Sequence, residues 1–363
     1  MAGSTAGKIS PQRQVKNKVV QTKNKKNEVP SSKTVLIVNP TSCSGLTGKG
    51  WDTLFPKIRE TLRADPEVVF TKKAGDGTAF ARDFLRKGYT TIVALGGDGT
   101  LNEVANGFFE EPVGIHGRKY TKSHRYPSPF KLKPINPDAS FTIVPCGTRN
   151  VLAKSLGLPE DAVECCRQAF SLGAPRDLDV ISVAATKKED GSAANTRVFL
   201  NAAEIGLAAE IIDRSKQVRK TLNSRLVSTI TSVLSTLPTY LSNESEISIE
   251  DGKKKFIAKM TMAAVANGPF LGGGFKVAPL ADMSDGLLDI VIVRDSGSFK
   301  LLDELVSLKQ GDYSNEDNIF YTQARKISMI SKERDVTVTI DGEPIGILPA
   351  TFEIIPKALR VRL

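Results

Sequence analysis

Short apolar segments alternate with segments of helical spacing in the first half of this chain, and that alternation limits the folds open to it. Residues 34–38 form an apolar, β-branched run that ends at Asn39-Pro40, as expected of a buried strand entering a loop. Strands alternating with helices predict βαβ units, hence an α/β domain with a parallel, Rossmann-like sheet. The further strands are predicted at 68–70, 91–95 and 141–144, and the helices at 51–63, 78–86 and 101–109.

The pattern changes after Asp179, where short β-type runs are separated by turns. Such spacing is typical of an antiparallel β-sandwich or barrel with added helices. The runs lie at 180–184, 198–202, 246–250, 256–265, 288–293, 326–331, 336–340, 351–355 and 359–363, and helical stretches lie near 204–220 and 224–241. The sequence therefore predicts an α/β domain over 34–178 and a β-sandwich domain over 179–363.

Positive charge is concentrated at the beginning of the chain. The net charge is +10 over 363 residues, and residues 1–33 carry eight Lys or Arg against Glu28 alone. This segment lacks hydrophobic periodicity, so it is predicted to be a disordered basic tail. It either contacts anionic membrane lipid or serves only as a solubilising tail. No nucleic-acid partner is expected.

Cysteine usage and hydropathy bear on the compartment. The four cysteines include no C-x-x-C pair, which argues against a disulfide framework or a zinc site. No stretch reaches 18 apolar residues, and the tail lacks the apolar core of a secretory signal. We therefore expect a cytoplasmic protein.

Residues 110–140 interrupt the alternating pattern. This segment is rich in proline and basic residues, and it contains both histidines of the chain, His116 and His124. Two histidines eight positions apart without a neighbouring cysteine make a poor metal site. A solvated surface insertion is the simpler interpretation.

The segment Gly96-Gly97-Asp98-Gly99-Thr100 lies between a predicted strand and a predicted helix. Glycines there let the backbone approach a phosphate closely, and the helix N-terminus favours negative charge. Asp98 would repel a phosphate unless a divalent cation or a substrate hydroxyl lies between them. Thr100 and Glu103 have the spacing of a helix capping box.

Two other phosphate loops are excluded. The segment 45–50 resembles a P-loop, but its spacing is short and no Ser or Thr follows Lys49. No Gly-x-Gly-x-x-Gly follows a strand, so the dinucleotide-binding fingerprint is absent as well.

Five blocks of the sequence together resemble the catalytic family of diacylglycerol kinases and sphingosine kinases. They occur in the family's order across residues 34–363, and the glycine loop alone would leave NAD kinases open. The blocks are Asn39-Pro40-Thr41-Ser42 with Gly45, GGDGTLNEVANG at 96–107, Pro145-Cys146-Gly147-Thr148-Arg149-Asn150, GGG at 272–274 with DGLLD at 285–289, and Asp341-Gly342-Glu343. Two extra residues before Gly45 and the long 110–140 insertion depart from the family pattern.

The resemblance implies a nucleotide domain followed by a β-sandwich domain, with Mg-ATP in the cleft between them. Glu343, or Asp341 beside it, would accept the proton of a lipid hydroxyl, and Asp98 would act at the phosphates. A structural Mg²⁺ would be held by the side chain of Asp285 and the backbone oxygens of Asp282 and Leu287. The residues implied to bind the nucleotide are Asn39, Pro40, Thr41, Ser42, Gly45, Thr71, Gly96, Gly97, Asp98, Gly99, Thr100, Asn102, Glu103 and Thr148.

The residues themselves agree with phosphoryl transfer. No histidine lies outside 110–140, so carboxylates must do any proton transfer, and Asp98, Asp341 and Glu343 lie in glycine-lined turns. Asp341-Gly342 could equally be only a hairpin turn, since Asp-Gly favours type I′. The apolar stripe at 224–241 either lines an acyl groove or packs against the sandwich.

We therefore predict an ATP-dependent lipid kinase that acts on diacylglycerol, a sphingoid base or a related lipid alcohol at a membrane surface. An NAD kinase and a non-catalytic membrane-binding relative are the alternatives. A homo-oligomer is compatible with the sequence.

Overall fold

The computed structural model describes residues 33–62, 65–111, 127, 129, 131–171, 174–188, 196–222, 240–312 and 317–363. The predicted tail at 1–33, apart from Lys33, lies outside the described residues. So do both histidines with most of the predicted insertion at 110–140, and nearly all of the helix predicted at 224–241. Among the described residues, no helix combines the length and the apolar character needed to cross a membrane.

The first half forms parallel strands in the order β4-β3-β1-β2. Neighbouring residues of β1 point to opposite faces: Val35 and Ile37 pack against α3 and α4, whereas Leu36 and Val38 pack against α2 and α6. A strand buried on both faces needs an uninterrupted apolar run, which is what residues 34–38 supply. The elements are β1 Thr34–Val38, α1 Leu46–Lys49, α2 Trp51–Leu62, β2 Glu67–Phe70, α3 Asp76–Arg86, β3 Thr91–Gly96, α4 Asp98–Asn106, β4 Ser140–Pro145, α5 Val151–Ser155 and α6 Ala162–Ser171.

The second half is antiparallel and closes on itself. Strand β14 pairs with β12, β12 with β8, β8 with β9, β9 with β7, β7 with β13, and β13 again with β14. This circuit surrounds an apolar core that includes Ile205, Ile247 and Phe352. The elements are β5 Arg176–Thr186, β6 Arg197–Phe199, β7 Ala202–Gly206, α7 Leu207–Leu222, β8 Asn243–Ile249, β9 Lys254–Ala266, β10 Leu288–Arg294, α8 Ser298–Gln310, β11 Ile319–Ala324, β12 Lys326–Ser331, β13 Thr337–Ile340 and β14 Glu343–Arg362.

One strand belongs to both halves. Strand β14 pairs antiparallel with β5 and β12 along most of its length, and near its end Val361 pairs in parallel with Phe141 of β4. The chain that starts at Glu343 thus continues into the edge of the parallel sheet. The position of Glu343 is therefore coupled to that sheet through the strand pairing of β14.

Three predicted elements need correction. Helix α4 begins at Asp98 rather than at residue 101, so Thr100 lies inside its first turn and Gly97 is the N-cap. The helix predicted near 204–220 overlaps residues 202–206, which form strand β7 instead. Strands β9 and β13 both pair with β7, and this pairing overrides the local helix preference. The runs at 351–355 and 359–363 belong to a single strand, β14.

Helices α1, α5, α6 and α8 and strand β11 were not predicted. Helix α8 and strand β11 lie between residues 298 and 324. Strand β11 is only partly buried, so its pattern lacks the clear apolar alternation on which strand prediction depends.

Asp179 holds three segments of the second half together. It is fully buried on β5, and its carboxylate accepts hydrogen bonds from the backbone N–H groups of Gly286, at 2.6 Å, and Lys357, at 2.7 Å. Replacing Asp179 with Ala leaves both donors without this partner, and we expect the free energy of unfolding to fall by about 3 kcal/mol. Chemical denaturation measures the change. Asp177→Ala, an exposed position on the same strand, is the control and should shift it by less than about 0.5 kcal/mol; equal effects would contradict the role given to Asp179.

Candidate active site

Two glycine loops lie side by side at the carboxyl end of the parallel sheet. They follow β3 and β4, which pair so that Gly96 lies opposite Pro145, and the N–H of Cys146 donates to the carbonyl of Gly96 at 2.8 Å. A Cβ on Gly147 would lie 2.3 Å from the Cα of Gly97. Because no side chain fits there, the two loops can approach only through glycine.

The N-terminus of α4 opens into a cleft beside these loops. The first N–H to donate inside the helix is that of Leu101, to the carbonyl of Gly97 at 3.1 Å. The N–H groups of Asp98, Gly99 and Thr100 precede it, and helix geometry offers them no carbonyl one turn back. Together with the helix dipole they make this helix end suitable for a phosphate.

The cleft has a volume of about 580 Å³, within the range of small-molecule sites. Of the predicted nucleotide residues, it is lined by Asn39, Thr41, Ser42, Thr71, Gly97, Gly99, Thr100, Glu103 and Thr148. Pro40, Gly45, Gly96, Asp98 and Asn102 are not among its lining residues. Lys72 and Lys73, which the sequence analysis did not single out, line it as well and add positive charge.

Asn39 connects the loop after β1 to the segment 96–100, which is the predicted phosphate loop. Its Nδ2 donates to Thr100 Oγ1 at 2.9 Å, and its Oδ1 accepts from the N–H and the hydroxyl of Thr41 at 3.0 and 2.8 Å. The two extra residues of this loop, Cys43 and Ser44, adopt left-handed backbone angles and line the cleft. They extend the wall of the cleft and leave the preceding strand, β1, regular.

Glu103 does not complete a capping box with Thr100. Its carboxylate accepts the backbone N–H groups of Gly75 at 2.8 Å and Gly77 at 3.0 Å, at the start of α3. It therefore caps a neighbouring helix while it lines the cleft.

Asn102 faces the second half of the protein. Its Nδ2 donates to the carbonyl of Val198 at 3.1 Å and to the Asp341 carboxylate at 2.9 Å, while its Oδ1 accepts from Arg197 at 2.9 Å. The structure thus gives Asn102 partners across the two halves, and its contact with a nucleotide stays a prediction.

Asp341 and Glu343 occupy different environments. The Asp341 carboxylate accepts from Asn102 and from the backbone N–H groups of Leu200, Asn201 and Ala202, at 2.9 to 3.2 Å. Burial raises the pKa of Asp341, and these hydrogen bonds oppose that shift. Its φ of 45° and that of Gly342, 79°, fit the type I′ hairpin.

That hairpin places Glu343 against the phosphate loop. A Cβ on Gly99 would lie 2.6 Å from Oε1 of Glu343, and the other carboxylate oxygen lies 3.4 Å from Arg197 Nη2. The Glu343 side chain is 37% exposed. The turn interpretation and the functional interpretation of this motif are therefore compatible, and Glu343 is the carboxylate turned toward the cleft.

A second cavity, of about 250 Å³, adjoins the cleft and shares Gly99, Thr148 and Glu343 with it. Asp98 lines this cavity, and its carboxylate accepts the N–H of Leu152 at 3.1 Å, in the first turn of α5. The cavity is also lined by Arg149, Val151, Leu152, Asn201, Glu204, Gly272, Asp341 and Gly342.

An apolar pocket continues from the second cavity and shares Arg149, Glu204 and Gly272 with it. Its remaining lining is predominantly hydrophobic and comes from α7, β9, the loop after β9 and α8. These residues are Ala208, Ile211, Ile212, Ser215, Met262, Leu271, Phe275, Val277, Leu305 and Leu308. The three spaces thus run from the N-terminal end of α4 to an apolar interior.

Sequence reasoning missed Arg149, Arg197 and Glu204. Arg149 lies inside the quoted Pro145–Asn150 motif. Glu204 is a lone charged residue in the buried strand β7, with 2% exposure, and a charge in an apolar run is a signal that sequence alone provides. Arg197 gives no comparable signal, since its role depends on Asn102 and Glu343 meeting in space.

The predicted metal residues stay predictions. Asp282 Oδ1 accepts from the N–H and hydroxyl of Ser284, and Asp285 Oδ1 accepts from the N–H of Leu287 at 2.9 Å. Burial, with Asp282 and Asp179 nearby, raises the pKa of Asp285. Among the described residues, no group of three His, Cys, Asp or Glu side chains is placed to hold a metal ion.

The chain matches two family models in succession. Residues 33–183 match the diacylglycerol kinase catalytic domain, and residues 202–363 match the YegS C-terminal NAD kinase beta sandwich-like domain. The predicted order of a catalytic domain and a β-sandwich domain is thereby confirmed, while the boundary at residue 178 stays a prediction.

Named relatives extend over most of the chain. The diacylglycerol kinase of Bacillus subtilis (strain 168) is 25% identical over 317 residues, which cover 87% of this chain and 91% of that protein. A Chromohalobacter salexigens protein named "Probable lipid kinase YegS-like" is 28% identical over 301 residues, covering 81% and 85%. A crystal structure of a diacylglycerol kinase from Bacillus anthracis str. Sterne shares the fold, with a TM-score of 0.63, 22% identity, and coverage of 91% and 96%.

These matches define a two-domain kinase of the lipid type. The chain contains a diacylglycerol kinase catalytic domain followed by a YegS-type C-terminal domain, in agreement with the resemblance carried by the five sequence blocks. The predicted class of enzyme, a phosphotransferase with an alcohol acceptor, is confirmed with it.

The contact between the glycine loops provides a first test of the site. Gly147→Ala would bring a Cβ to 2.3 Å from Gly97 Cα, so the loops must separate, and we expect a loss of about 1–3 kcal/mol of stability together with weaker nucleotide binding. Thermal unfolding with and without ATP measures both. Gly50→Ala, where the nearest atom is a backbone oxygen at 3.3 Å, is the control; ATP stabilisation equal to wild type in Gly147→Ala would contradict the assignment.

The buried carboxyl of Glu204 provides a second test. Burial raises the pKa of Glu204 to about 7 from 4.5, and nearby Asp341 adds to the shift, while Thr339, the Gly272 N–H and Arg149 oppose it. Because the folded state holds this proton longer than the unfolded state, stability falls as pH rises from 4.5 to 7, by about 3 kcal/mol.

Glu204→Gln should remove that part of the pH dependence, and denaturation curves at several pH values measure it. Glu164→Gln, on the surface of α6, should leave the dependence unchanged. A wild-type slope persisting in Glu204→Gln would show that other groups cause it.

Proposed function

We propose that this protein transfers the γ-phosphate of ATP to the hydroxyl of a lipid, with diacylglycerol as the first candidate acceptor. The observation that carries the proposal is the position of Glu343. Its carboxylate lies against Gly99 of the phosphate loop and lines both the cleft and the adjoining cavity. A phosphate held at the α4 N-terminus and an alcohol in the cavity would therefore meet beside it.

The chain's own groups suit the steps of this transfer. The N–H groups at the start of α4 bind and orient the phosphates, and Lys72 and Lys73 add positive charge at the cleft wall. Glu343 accepts the proton of the attacking hydroxyl, and Arg197 Nη2 lies 3.4 Å from its carboxylate. Asp341, bound by four donors, holds the turn that positions Glu343.

We further propose that the parallel strands form a Rossmann-like nucleotide-binding sheet and that Mg²⁺ binds together with ATP. In kinases Mg²⁺ is typically bound by one or two carboxylates together with substrate phosphates, not by an all-protein cage. The described residues fit that mode, and Asp98, next to the phosphate-binding N–H groups, is the carboxylate that would hold the ion. Mg²⁺ would neutralise charge on the transferred phosphate.

The acceptor side rests on the apolar pocket. Its hydrophobic lining suits acyl chains, and the polar end of the lipid would lie at Arg149 and Glu204, next to the cavity with Glu343. An NAD kinase would place a second polar nucleotide there, for which this lining offers few partners. We also propose a cytoplasmic enzyme that meets its lipid at the membrane surface, in phospholipid biosynthesis.

Transfer of labelled γ-phosphate from Mg-ATP to diacylglycerol, sphingosine and NAD tests the function directly. Label in an organic-soluble product supports the proposal and identifies the acceptor class. Label in NAD alone would assign the chain to the NAD kinases, and no label in any acceptor would favour a non-catalytic protein.

Glu343→Gln tests the proposed base. The amide keeps the size of the side chain but cannot take the proton, so we expect kcat to fall by about 10²–10⁴-fold with ATP binding retained. Steady-state kinetics and ATP titration separate the two effects. Glu353→Gln, further along β14, is the matched control and should keep full activity; unchanged kcat in Glu343→Gln would exclude Glu343 as the base.

A further inference from the structure

Arg149 bridges the two halves of the site. It follows Thr148 in the loop between β4 and α5, and it lines both the second cavity and the apolar pocket. Its Nη1 lies 3.5 Å from where a Cβ of Gly272 would be and 4.0 Å from that of Gly342. The guanidinium thus extends from the phosphate loop to the turn that carries Glu343.

The titratable groups around this guanidinium are mostly carboxyl groups. Asp98, Glu204, Asp341 and Glu343 line the second cavity, and Arg149 is the one basic residue among its lining residues. A phosphoryl group passing through a space lined by four carboxyl groups would be repelled unless positive charge meets it there. Arginine stays charged at every working pH and matches phosphate oxygens in a two-pronged geometry.

We propose that Arg149 is a catalytic residue that binds the phosphoryl group during transfer and then holds the phosphate of the lipid product. This inference rests on the proposed function. The acceptor oxygen forms a bond to the γ-phosphorus, the bond from that phosphorus to the β,γ-bridging oxygen breaks, ADP leaves, and Glu343 takes the hydroxyl proton. Arg149 neutralises charge on the oxygens of the transferred group.

The place of Arg149 at the opening of the apolar pocket supports this role. A lipid in that pocket presents its polar end where the guanidinium lies, so the new phosphate forms next to it. Glu204 lines the same cavity and the same pocket as Arg149, and Thr339 Oγ1 donates to its carboxylate at 2.7 Å. In the P-x-G-T-x-N pattern, Arg149 occupies the x before the final Asn, and the pattern specifies no residue type there.

The variants Arg149→Met and Arg149→Lys test the proposal. We expect Arg149→Met to lower kcat by about 10²–10³-fold with KM for ATP nearly unchanged, because an arginine on the transferred phosphoryl group acts mainly in the transition state. Arg149→Lys, which keeps the charge but not the two-pronged geometry, should recover part of kcat. Lys154→Met, an exposed position on α5, is the control.

Binding of a short-chain phosphatidic acid and of the matching diacylglycerol, measured by titration, supplies a readout independent of turnover. We expect Arg149→Met to weaken binding of the phosphatidic acid about tenfold and to leave binding of the neutral lipid unchanged. A merely structural Arg149 would weaken both equally, or lower Tm and activity in parallel, and either result would overturn the proposal. Equal binding of phosphatidic acid by wild type and Arg149→Met would overturn it too.

The same measurements separate this inference from the proposed function. A wild-type protein that transfers phosphate to no lipid contradicts the proposed function, whatever the variants show. Normal lipid phosphorylation by Arg149→Met contradicts only the role given to Arg149.

Discussion

The carboxylate of Asp341 joins the two halves of the site, and the position of the proposed base depends on it. It accepts one hydrogen bond from Asn102 of α4, which begins at the phosphate loop, and three from the backbone between β6 and β7. A carboxylate with four donors has lost little by leaving water, so its burial is compatible with a stable fold. Since Glu343 follows two residues later at the start of β14, fixing the turn also fixes that side chain against Gly99.

Strand β14 extends this constraint through the fold. It begins at Glu343 in the antiparallel circuit and ends beside β4 of the parallel sheet. The backbone hydrogen bonds of this one strand therefore join the antiparallel half to the parallel sheet. The two glycine loops at the end of β3 and β4 meet at the other side of the cleft, where only glycine fits. The cleft thus has walls from both halves whose separation is set by strand pairing rather than by loops alone.

The sequence predicted much of this because its strongest signals are local. Buried β-branched runs identify β1, β3 and β4, and the glycine loops follow them directly, so their meeting at one sheet edge could be anticipated. Local patterns could not distinguish Asp341 from Glu343, because their difference arises from donors about 140 and 239 positions away in the chain. The capping partners of Glu103 were missed for the same reason, because the N–H groups that its carboxylate accepts belong to the start of α3.

Glu204 shows why departures from a stable core point to function. The strand that carries it is otherwise apolar and fully buried, and an aliphatic side chain there would avoid the cost of desolvating a carboxyl group. Burial raises the pKa of Glu204 to about 7, and the hydrogen bonds from Thr339 and the Gly272 N–H, with the charge of Arg149, offset only part of this shift. Arg149 lines the same cavity and the same apolar pocket, so both charged side chains lie where the polar space meets the apolar one. In the proposed function, the polar end of the lipid alcohol would lie between these two side chains and its acyl chains in the apolar pocket.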